Sequence, residues 1–208
     1  MPHINTIIFD LGGVLIDWNP KHLYRKLFVS EIAVNYFLDH ITTHEWNEQQ
    51  DAGRPLKEAT DLLVSEYPEY TPEINAFYGR WEEEMLGDAV HGTVDVLKYY
   101  VDNPDFRVIA LTNWSAETFP IAQAKFPFLG WFEDILVSGA EKLKKPDPAI
   151  YKLMIERFKI DPERSIFIDD SQRNVDGAES VGIKSIHFTD PSSLKSSLIA
   201  NGLYPSEA

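Results

Sequence analysis

Apolar runs alternate with polar breaks along this chain, and the alternation predicts strands separated by helices. Short continuous apolar runs occupy positions 7–9, 108–111, 135–137, 166–168 and 186–188. Such runs, bounded by turn residues, are typical of strands buried in a parallel sheet. Between them apolar residues recur at helical spacing, as in Ile150, Leu153 and Met154. We therefore predict an α/β fold, a Rossmann-like parallel sheet with helices on both faces.

The stretch after the first strand has a different pattern. From Pro20 to about Gly87 apolar and aromatic residues recur at helical spacing, beginning with Leu23 and Leu27, and strand signals are lacking. We predict an α-helical cap over residues 17–87. It is inserted into a core domain formed by residues 1–16 and 88–208.

Composition and charge narrow the class of partner. The chain has 208 residues, of which 44% are hydrophobic, enough for one core domain and a small insertion. Its formal net charge of -14 argues against nucleic acid and anionic membrane surfaces as partners, because both attract clustered Lys and Arg. An anionic substrate would be repelled as well, unless a bound divalent cation offset the charge locally.

Cysteine content and the N-terminal sequence bear on location. The chain has no cysteine, which excludes disulfides and thiolate metal sites and is compatible with a reducing compartment. No basic segment leads into an apolar run at the N-terminus, and no run is long enough for a membrane helix. We expect a cytoplasmic protein, and nothing in the sequence indicates its oligomeric state.

Polar side chains follow three of the predicted strands. Asp10 comes directly after the first strand, Thr112-Asn113 after the second, and Asp169-Asp170 after the fourth. Because the carboxyl ends of parallel strands share one edge of the sheet, and ligands bind at that edge, we expect these groups to converge.

A loop lysine completes the set. Lys145 stands before a Pro-Asp-Pro sequence that opens a helix. Carboxylates, a hydroxyl, an amide and an ammonium group together suit Mg²⁺ and a phosphoryl group. Mg²⁺ prefers hard oxygen ligands, and the donors can bind phosphate oxygens.

These motifs resemble those of haloacid dehalogenase superfamily hydrolases with a helical cap after the first motif. Asp10 falls at the position of the family's nucleophile, Thr112 at its phosphate-binding hydroxyl, Lys145 at its lysine and Asp170 at its metal-ligand acid. The segment 168–178 is similar to the fourth motif of the phosphatase-like domain joined to soluble epoxide hydrolases.

The resemblance implies a Mg²⁺-dependent phosphatase acting on small-molecule phosphate esters, with sugar phosphates among the candidates. Asp10 would attack phosphorus and form an aspartyl-phosphate, with Lys145 and Thr112 as its catalytic partners. Mg²⁺ would be held by Asp10, the Gly12 backbone carbonyl and Asp170.

Further residues are assigned supporting or substrate-binding roles. We predict that Thr112, Asn113 and Lys145 bind the phosphate group, and that Trp114 and Trp18 shape the pocket. Asp169 would support the metal site indirectly, and Asn174 would contact the Asp170 loop.

The sequence departs from the family pattern at Gly12, where phosphatases usually place a second aspartate that works as general acid and base. Such help is worth about 100- to 10,000-fold. We therefore expect a preference for leaving oxygens that tolerate charge, as in anomeric sugar phosphates or aryl phosphates. Asp17 is the nearest spare acid.

Two other functions stay open. In a dehalogenase, Asp10 would displace halide from carbon, and that reaction needs no metal. The Asp169-Asp170 pair indicates a cation site and therefore argues against this function. Arg25 is the remaining candidate for a group that binds halide. A non-catalytic protein that binds metal and phosphate would follow if Gly12 had abolished turnover.

Overall fold

The computed structural model describes residues 3–206; positions 1, 2, 207 and 208 of the predicted core domain lie outside the described residues. A parallel sheet of five strands forms the centre. These strands are β1 (Thr6–Phe9), β4 (Arg107–Thr112), β5 (Asp134–Val137), β6 (Ser165–Asp169) and β7 (Lys184–His187). They lie side by side in the order β5-β4-β1-β6-β7. The predicted parallel α/β fold is confirmed.

Helices cover both faces of this sheet. Successive strand residues point to opposite faces, so Ile7 and Phe9 join one hydrophobic cluster and Ile8 joins the other. The flanking helices are α6 (His91–Val101), α7 (Phe119–Lys125), α8 (Ser138–Glu141), α9 (Pro148–Phe158), α10 (Gln172–Glu179) and α11 (Pro191–Ala200). None of the helices between residues 3 and 206 combines the length and apolar character that crossing a bilayer requires.

A helical insertion, residues 21–85, follows the first strand and turn. It contains α1 (Lys21–Leu27), α2 (Glu31–His40), α3 (His44–Asp51), α4 (Leu56–Glu66), α5 (Thr71–Gly79) and a π-helical segment, Trp81–Met85. Ser30 and Thr43 cap the N-termini of α2 and α3, where their hydroxyls accept backbone N–H groups. Buried aromatic rings fill its centre, with the ring centroids of Tyr24 and Phe37 4.7 Å apart.

The two connections between insertion and sheet form an antiparallel ribbon. Strand β2 (Ile16–Trp18) pairs with β3 (Leu86–Ala89), opposing Ile16 to Ala89 and Trp18 to Leu86. The expectation of helix through Gly87 was therefore wrong at its end, because pairing with a strand distant in sequence replaces the helical pattern there. The domain boundaries themselves, 1–16 with 88–208 and 17–87, stay predictions.

Candidate active site

The polar ends of three neighbouring strands meet at one edge of the sheet. Strands β4, β1 and β6 lie side by side and lead into Thr112, Asp10 and Asp169. The ammonium nitrogen of Lys145 lies 2.9 Å from Asp10 Oδ2 and 2.6 Å from Asp169 Oδ2. The structure thus brings together residues that are up to 159 positions apart, since parallel topology places their strand ends together.

Lys145 is fully buried, and each of its three ammonium hydrogens has an acceptor. The third acceptor, beside Asp10 and Asp169, is the carbonyl oxygen of Leu111 at 3.1 Å. Burial alone would lower the pKa of Lys145, but the two carboxylates raise it, so the ammonium group stays charged. Lys145 lies behind the cavity wall, so in this structure it acts on Asp10 and does not reach the open space directly.

Asp10 is held at both oxygens and faces a cavity. Its Oδ1 accepts the backbone N–H of Leu11 at 2.7 Å, and its Oδ2 faces Lys145. Burial raises the pKa of Asp10 well above its usual value; Lys145 opposes this rise, and Asp169 and Asp170 add to it. The carboxylate is therefore oriented by two donors, but it lies in a place with excess negative charge.

Asp169 supports Lys145 and the loop that follows β6. Its carboxylate accepts the backbone N–H of Ser171 at 2.8 Å and the side-chain amide of Asn174 at 3.0 and 3.1 Å. Asp169 is fully buried, whereas Asn174 also lines the cavity. These bonds place the neighbouring Asp170 at the start of the loop.

Asp170 lies directly against the backbone of Gly13. A Cβ atom at Gly13 would lie 2.2 Å from Asp170 Oδ2, and Gly13 has a φ of +77°. The turn is wound around the Leu11 carbonyl, which accepts the N–H groups of Leu15 and Ile16. Only glycine combines this backbone conformation with such a close approach.

The carboxylates of Asp10, Asp169 and Asp170 suit a divalent cation. Each offers one oxygen, and these oxygens all lie within 4.8 Å of one another. Burial and the charge of Asp169 raise the pKa of Asp170, as they do that of Asp10. One lysine does not balance three carboxylates, and a hard cation such as Mg²⁺ would reverse these pKa shifts.

Thr112 and Asn113 differ in what they offer a ligand. The fully buried Thr112 Oγ1 has no hydrogen-bond partner within the described part of the chain, so it has a free donor. Asn113 lines the cavity, but its amide bonds to the backbone of Lys145 in both directions, at 2.8 and 3.0 Å. Asn113 therefore positions Lys145, which sequence reasoning did not predict.

A cavity of about 240 Å³ opens between the sheet edge and the insertion. Asp10, Gly12 and Asp170 line it, and so do both predicted aromatic residues, Trp18 and Trp114. The rings of Trp114 and Trp81 meet edge to face with centroids 5.7 Å apart. Further wall residues come from the insertion and the core loops: His44, Asn47, Glu48, Asp51, Tyr78, Trp81, Ser115, Thr118, Ser171 and Arg173.

Helix α3 contributes charged wall residues that sequence reasoning missed. Glu48 pairs with Lys144, with Arg173 at 2.7 Å and with His44 at 3.0 Å, which joins the insertion to two core segments. Burial alone would raise the pKa of Glu48, but Lys144 and Arg173 lower it, so it stays ionised.

Asp51, three residues beyond Glu48 and on the same side of α3, is the other missed carboxylate. The sequence did contain a signal for these two carboxylates, because His44–Asp51 is almost wholly polar and lies inside an aromatic-rich segment. Such a helix needs a polar surface to pack against.

Comparison with protein families gives one match that spans most of the chain. The family model described as haloacid dehalogenase-like hydrolase matches residues 4–182. The chain is 25% identical over 183 residues to the sesquiterpene phosphatase astK of Aspergillus oryzae, covering 88% of this chain and 89% of that protein. It is 26% identical to the phosphorylated carbohydrates phosphatase of Thermotoga maritima, covering 88% and 84%. It spans only 34% of the drimenol cyclase drtB of Aspergillus calidoustus, to which it is 25% identical.

Solved structures share the fold. A predicted hydrolase from Porphyromonas gingivalis superposes with a TM-score of 0.72, at 22% identity over 98% of this chain and 99% of that one. A Bacteroides thetaiotaomicron enzyme in complex with magnesium and inorganic phosphate superposes with a TM-score of 0.67, at 25% identity over 90% and 95%.

Proposed function

Because this chain belongs to the haloacid dehalogenase-like hydrolase family, we propose that it is a Mg²⁺-dependent phosphomonoesterase of small metabolites. The observation that carries the proposal is the setting of Asp10. Its carboxylate is oriented by Leu11 N–H and Lys145, faces the cavity, and lies beside Asp169 and Asp170. A fixed carboxylate next to a cation site can serve as a nucleophile toward phosphorus.

Asp10 then carries the covalent step. One carboxylate oxygen attacks phosphorus, the bond between phosphorus and the leaving oxygen breaks, and an aspartyl-phosphate forms. Water attacks this phosphorus in the second step, which releases inorganic phosphate and restores the Asp10 carboxylate. Lys145 orients the Asp10 carboxylate and opposes the rise of its pKa. The unpartnered Thr112 hydroxyl, buried behind the cavity wall, is the proposed donor to a phosphate oxygen.

Mg²⁺ would be held by Asp10, the Gly12 carbonyl and Asp170. When bound, it would neutralise negative charge on the phosphate group. The proposal is supported by the oxygens within 4.8 Å of one another and by the Bacteroides enzyme, which contains magnesium and phosphate. Asp169 stays with Lys145, Ser171 and Asn174, and this keeps the Asp170 loop in place.

The cavity favours a small substrate with a face that stacks on aromatic rings. Its volume of about 240 Å³ is below the roughly 300–1,000 Å³ of pockets for drug-sized ligands. Trp18, Trp114 and Trp81 offer flat apolar surface, and Asn47 and His44 offer polar groups. We propose sugar phosphates as the first substrate class to test, as the name of the Thermotoga relative suggests. A cytoplasmic location stays a prediction.

The test is a phosphate-release screen over sugar, nucleotide and glycolytic phosphates, with Mg²⁺ or with EDTA. We expect turnover with Mg²⁺, background with EDTA, and background for Asp10→Asn. The matched control is Asp17→Asn, because Asp17 lies on β2, pairs with His22 at 2.9 Å and is absent from the cavity wall. This variant should keep its activity.

Three outcomes would contradict the proposal. Full activity in Asp10→Asn would show that Asp10 is not the nucleophile. Halide release from haloacids without Mg²⁺ would indicate a dehalogenase, although Arg25 pairs with Glu31 at 2.8 Å and does not line the cavity. Metal and phosphate binding without steady-state turnover would indicate a non-catalytic protein.

A further inference from the structure

The site lacks a proton donor at the position where the family usually has one. Gly12 lines the cavity, and a Cβ atom there would meet only Trp114, at 4.0 Å. The space that an aspartate side chain would occupy is therefore open. A phosphomonoesterase with an alcohol leaving group still needs a proton for that oxygen, and a base for the water that follows.

A carboxylate from the insertion borders the same space. Asp51 ends helix α3, is partly buried, and lines the cavity together with Asp10 and Gly12. The backbone N–H of Ser115 bonds to its carboxylate. Asp51 thus brings a carboxyl group from the insertion to the same cavity that the nucleophile faces.

The backbone of Asp51 is anchored to the core, which keeps the carboxylate in place. Its carbonyl accepts the hydroxyl of Ser138 at 2.5 Å, and the same hydroxyl oxygen accepts the N–H of Trp114 at 2.9 Å. Gly53 then packs against the carbonyl of Gly139, where a Cβ would lie at 3.0 Å. The end of α3 is therefore fixed to the segment that follows the Thr112-Asn113 motif.

The other spare carboxylates do not suit proton transfer. Asp17 points to His22 and lies outside the cavity wall. Glu48 lines the wall but is ionised and bound by Lys144, Arg173 and His44. Asp170 belongs to the proposed cation site, and the Asp169 carboxylate is bound by Lys145, Ser171 and Asn174.

We propose that Asp51 is the general acid and base of the reaction, replacing from the insertion the aspartate that Gly12 lacks. The proposal rests on the proposed phosphomonoesterase function. It also changes the expectation drawn from Gly12, because alcohols then become leaving groups as suitable as charged or aryl oxygens.

Proton and bond changes balance over the two steps. As Asp10 attacks phosphorus and the bond to the leaving oxygen breaks, the proton of Asp51 passes to that oxygen. In the second step the Asp51 carboxylate takes a proton from the attacking water, and the phosphorus–oxygen bond to Asp10 breaks. Asp51 is protonated again, Asp10 is restored, and alcohol and inorganic phosphate are the products.

The electrostatic setting agrees with this role. Burial raises the pKa of Asp51 to about 7, and Glu48 adds to the rise. Lys144, Lys145 and the Ser115 N–H oppose it. His44 also faces this part of the cavity through its pair with Glu48. A pKa near the working pH lets one group give and take a proton.

The test compares Asp51→Asn with wild type on two substrates in the presence of Mg²⁺. With an alkyl phosphate such as glycerol phosphate, we expect kcat to fall by about 100-fold or more. With p-nitrophenyl phosphate the pre-steady-state burst of nitrophenol should fall less than about tenfold, because that leaving group needs no proton. The fall of wild-type kcat/KM above pH of about 7 should disappear, since the acid has gone.

Asp61→Asn is the matched control, because Asp61 is an exposed aspartate of the insertion that pairs only with Lys57 among its described contacts. Adding Gly12→Asp to Asp51→Asn should restore part of the alkyl phosphate activity. Should Asp51→Asn fail to fold by circular dichroism, carbon-13 NMR of aspartate-labelled wild type, assigned with Asp51→Glu, measures the Asp51 titration directly.

The outcomes separate the inference from the proposed function. If Asp51→Asn keeps the wild-type ratio of rates on alkyl and aryl phosphates and the wild-type pH profile, Asp51 is not the general acid. The proposed phosphatase function would still hold. A titration of Asp51 at or below the usual aspartate range has the same meaning. Activity in Asp10→Asn overturns the proposed function instead.

Discussion

Two adjacent glycines provide a direct test of how the turn after β1 builds the cation site. Gly13 has a φ of +77°, and a Cβ added there would lie 2.2 Å from Asp170 Oδ2, where ordinary contact begins at 3.4 Å. Gly12 lies outside the left-handed region, and its Cβ would meet only Trp114 at 4.0 Å. The substitutions Gly13→Ala and Gly12→Ala therefore add the same methyl group with opposite consequences.

The size of each effect follows from the geometry. Alanine in the left-handed conformation costs about 1–2 kcal/mol, so Gly13→Ala should lower the free energy of unfolding by at least this amount. The Asp170 carboxylate, a proposed cation ligand, must also move away. Metal affinity should therefore fall by at least the roughly 10- to 100-fold that is typical when a group orienting a ligand is lost. Gly12→Ala should instead raise the free energy of unfolding by about 0.4–1 kcal/mol, because it restricts the unfolded chain.

Urea denaturation in EDTA measures the stability of both variants without the cation. Isothermal titration calorimetry with Mg²⁺ then measures affinity in the folded proteins. The reasoning is refuted if Gly13→Ala binds Mg²⁺ as tightly as wild type, or if both variants change the free energy of unfolding in the same direction.

Three further perturbations test the charges of the site. Lys145→Met should lower the free energy of unfolding by about 3–5 kcal/mol in urea, because it leaves Asp10 and Asp169 buried without their cation; a loss below about 1 kcal/mol would contradict this. The pKa of Asp51 is about 7 in the folded chain, against an ordinary value of 3.8. Between these two pH values the folded state therefore holds a proton that the unfolded chain has lost. Stability in EDTA should therefore fall by up to about 4 kcal/mol as pH rises from 4 to 7, and an equally steep fall in Asp51→Asn would exclude Asp51 as its source. Glu48→Gln removes a charge that raises the pKa of Asp51, so the Asp51 titration followed by NMR should move to lower pH, and a move upward would reverse the assignment.

The sheet and its polar edge could be predicted because their signals are local. The apolar run before Asp10 marks a buried strand by composition alone, and parallel topology then places Asp169 and Asp10 on the same edge. Sequence reasoning could therefore place Lys145 near these acids. It could not foresee that Leu111 and Asn113 hold the lysine, since a backbone carbonyl leaves no mark in the sequence.

Residues of the insertion were harder to predict. The position of Asp51 depends on how α3 packs against Ser138 and Trp114, which is a contact between segments about 60 to 90 residues apart. The strand Leu86–Ala89 was missed for the same reason, because its partner is Ile16–Trp18. A short segment takes its conformation from such a partner more than from its own propensity.

The paired strands β2 and β3 carry the chain into and out of the insertion side by side. This covalent connection alone would let the insertion swing about one line only. The contacts of Asp51 with Ser138 and of Glu48 with Lys144 and Arg173 join helix α3 to the core and oppose such a swing. The helix that carries the proposed proton donor therefore also holds the insertion against the edge of the sheet.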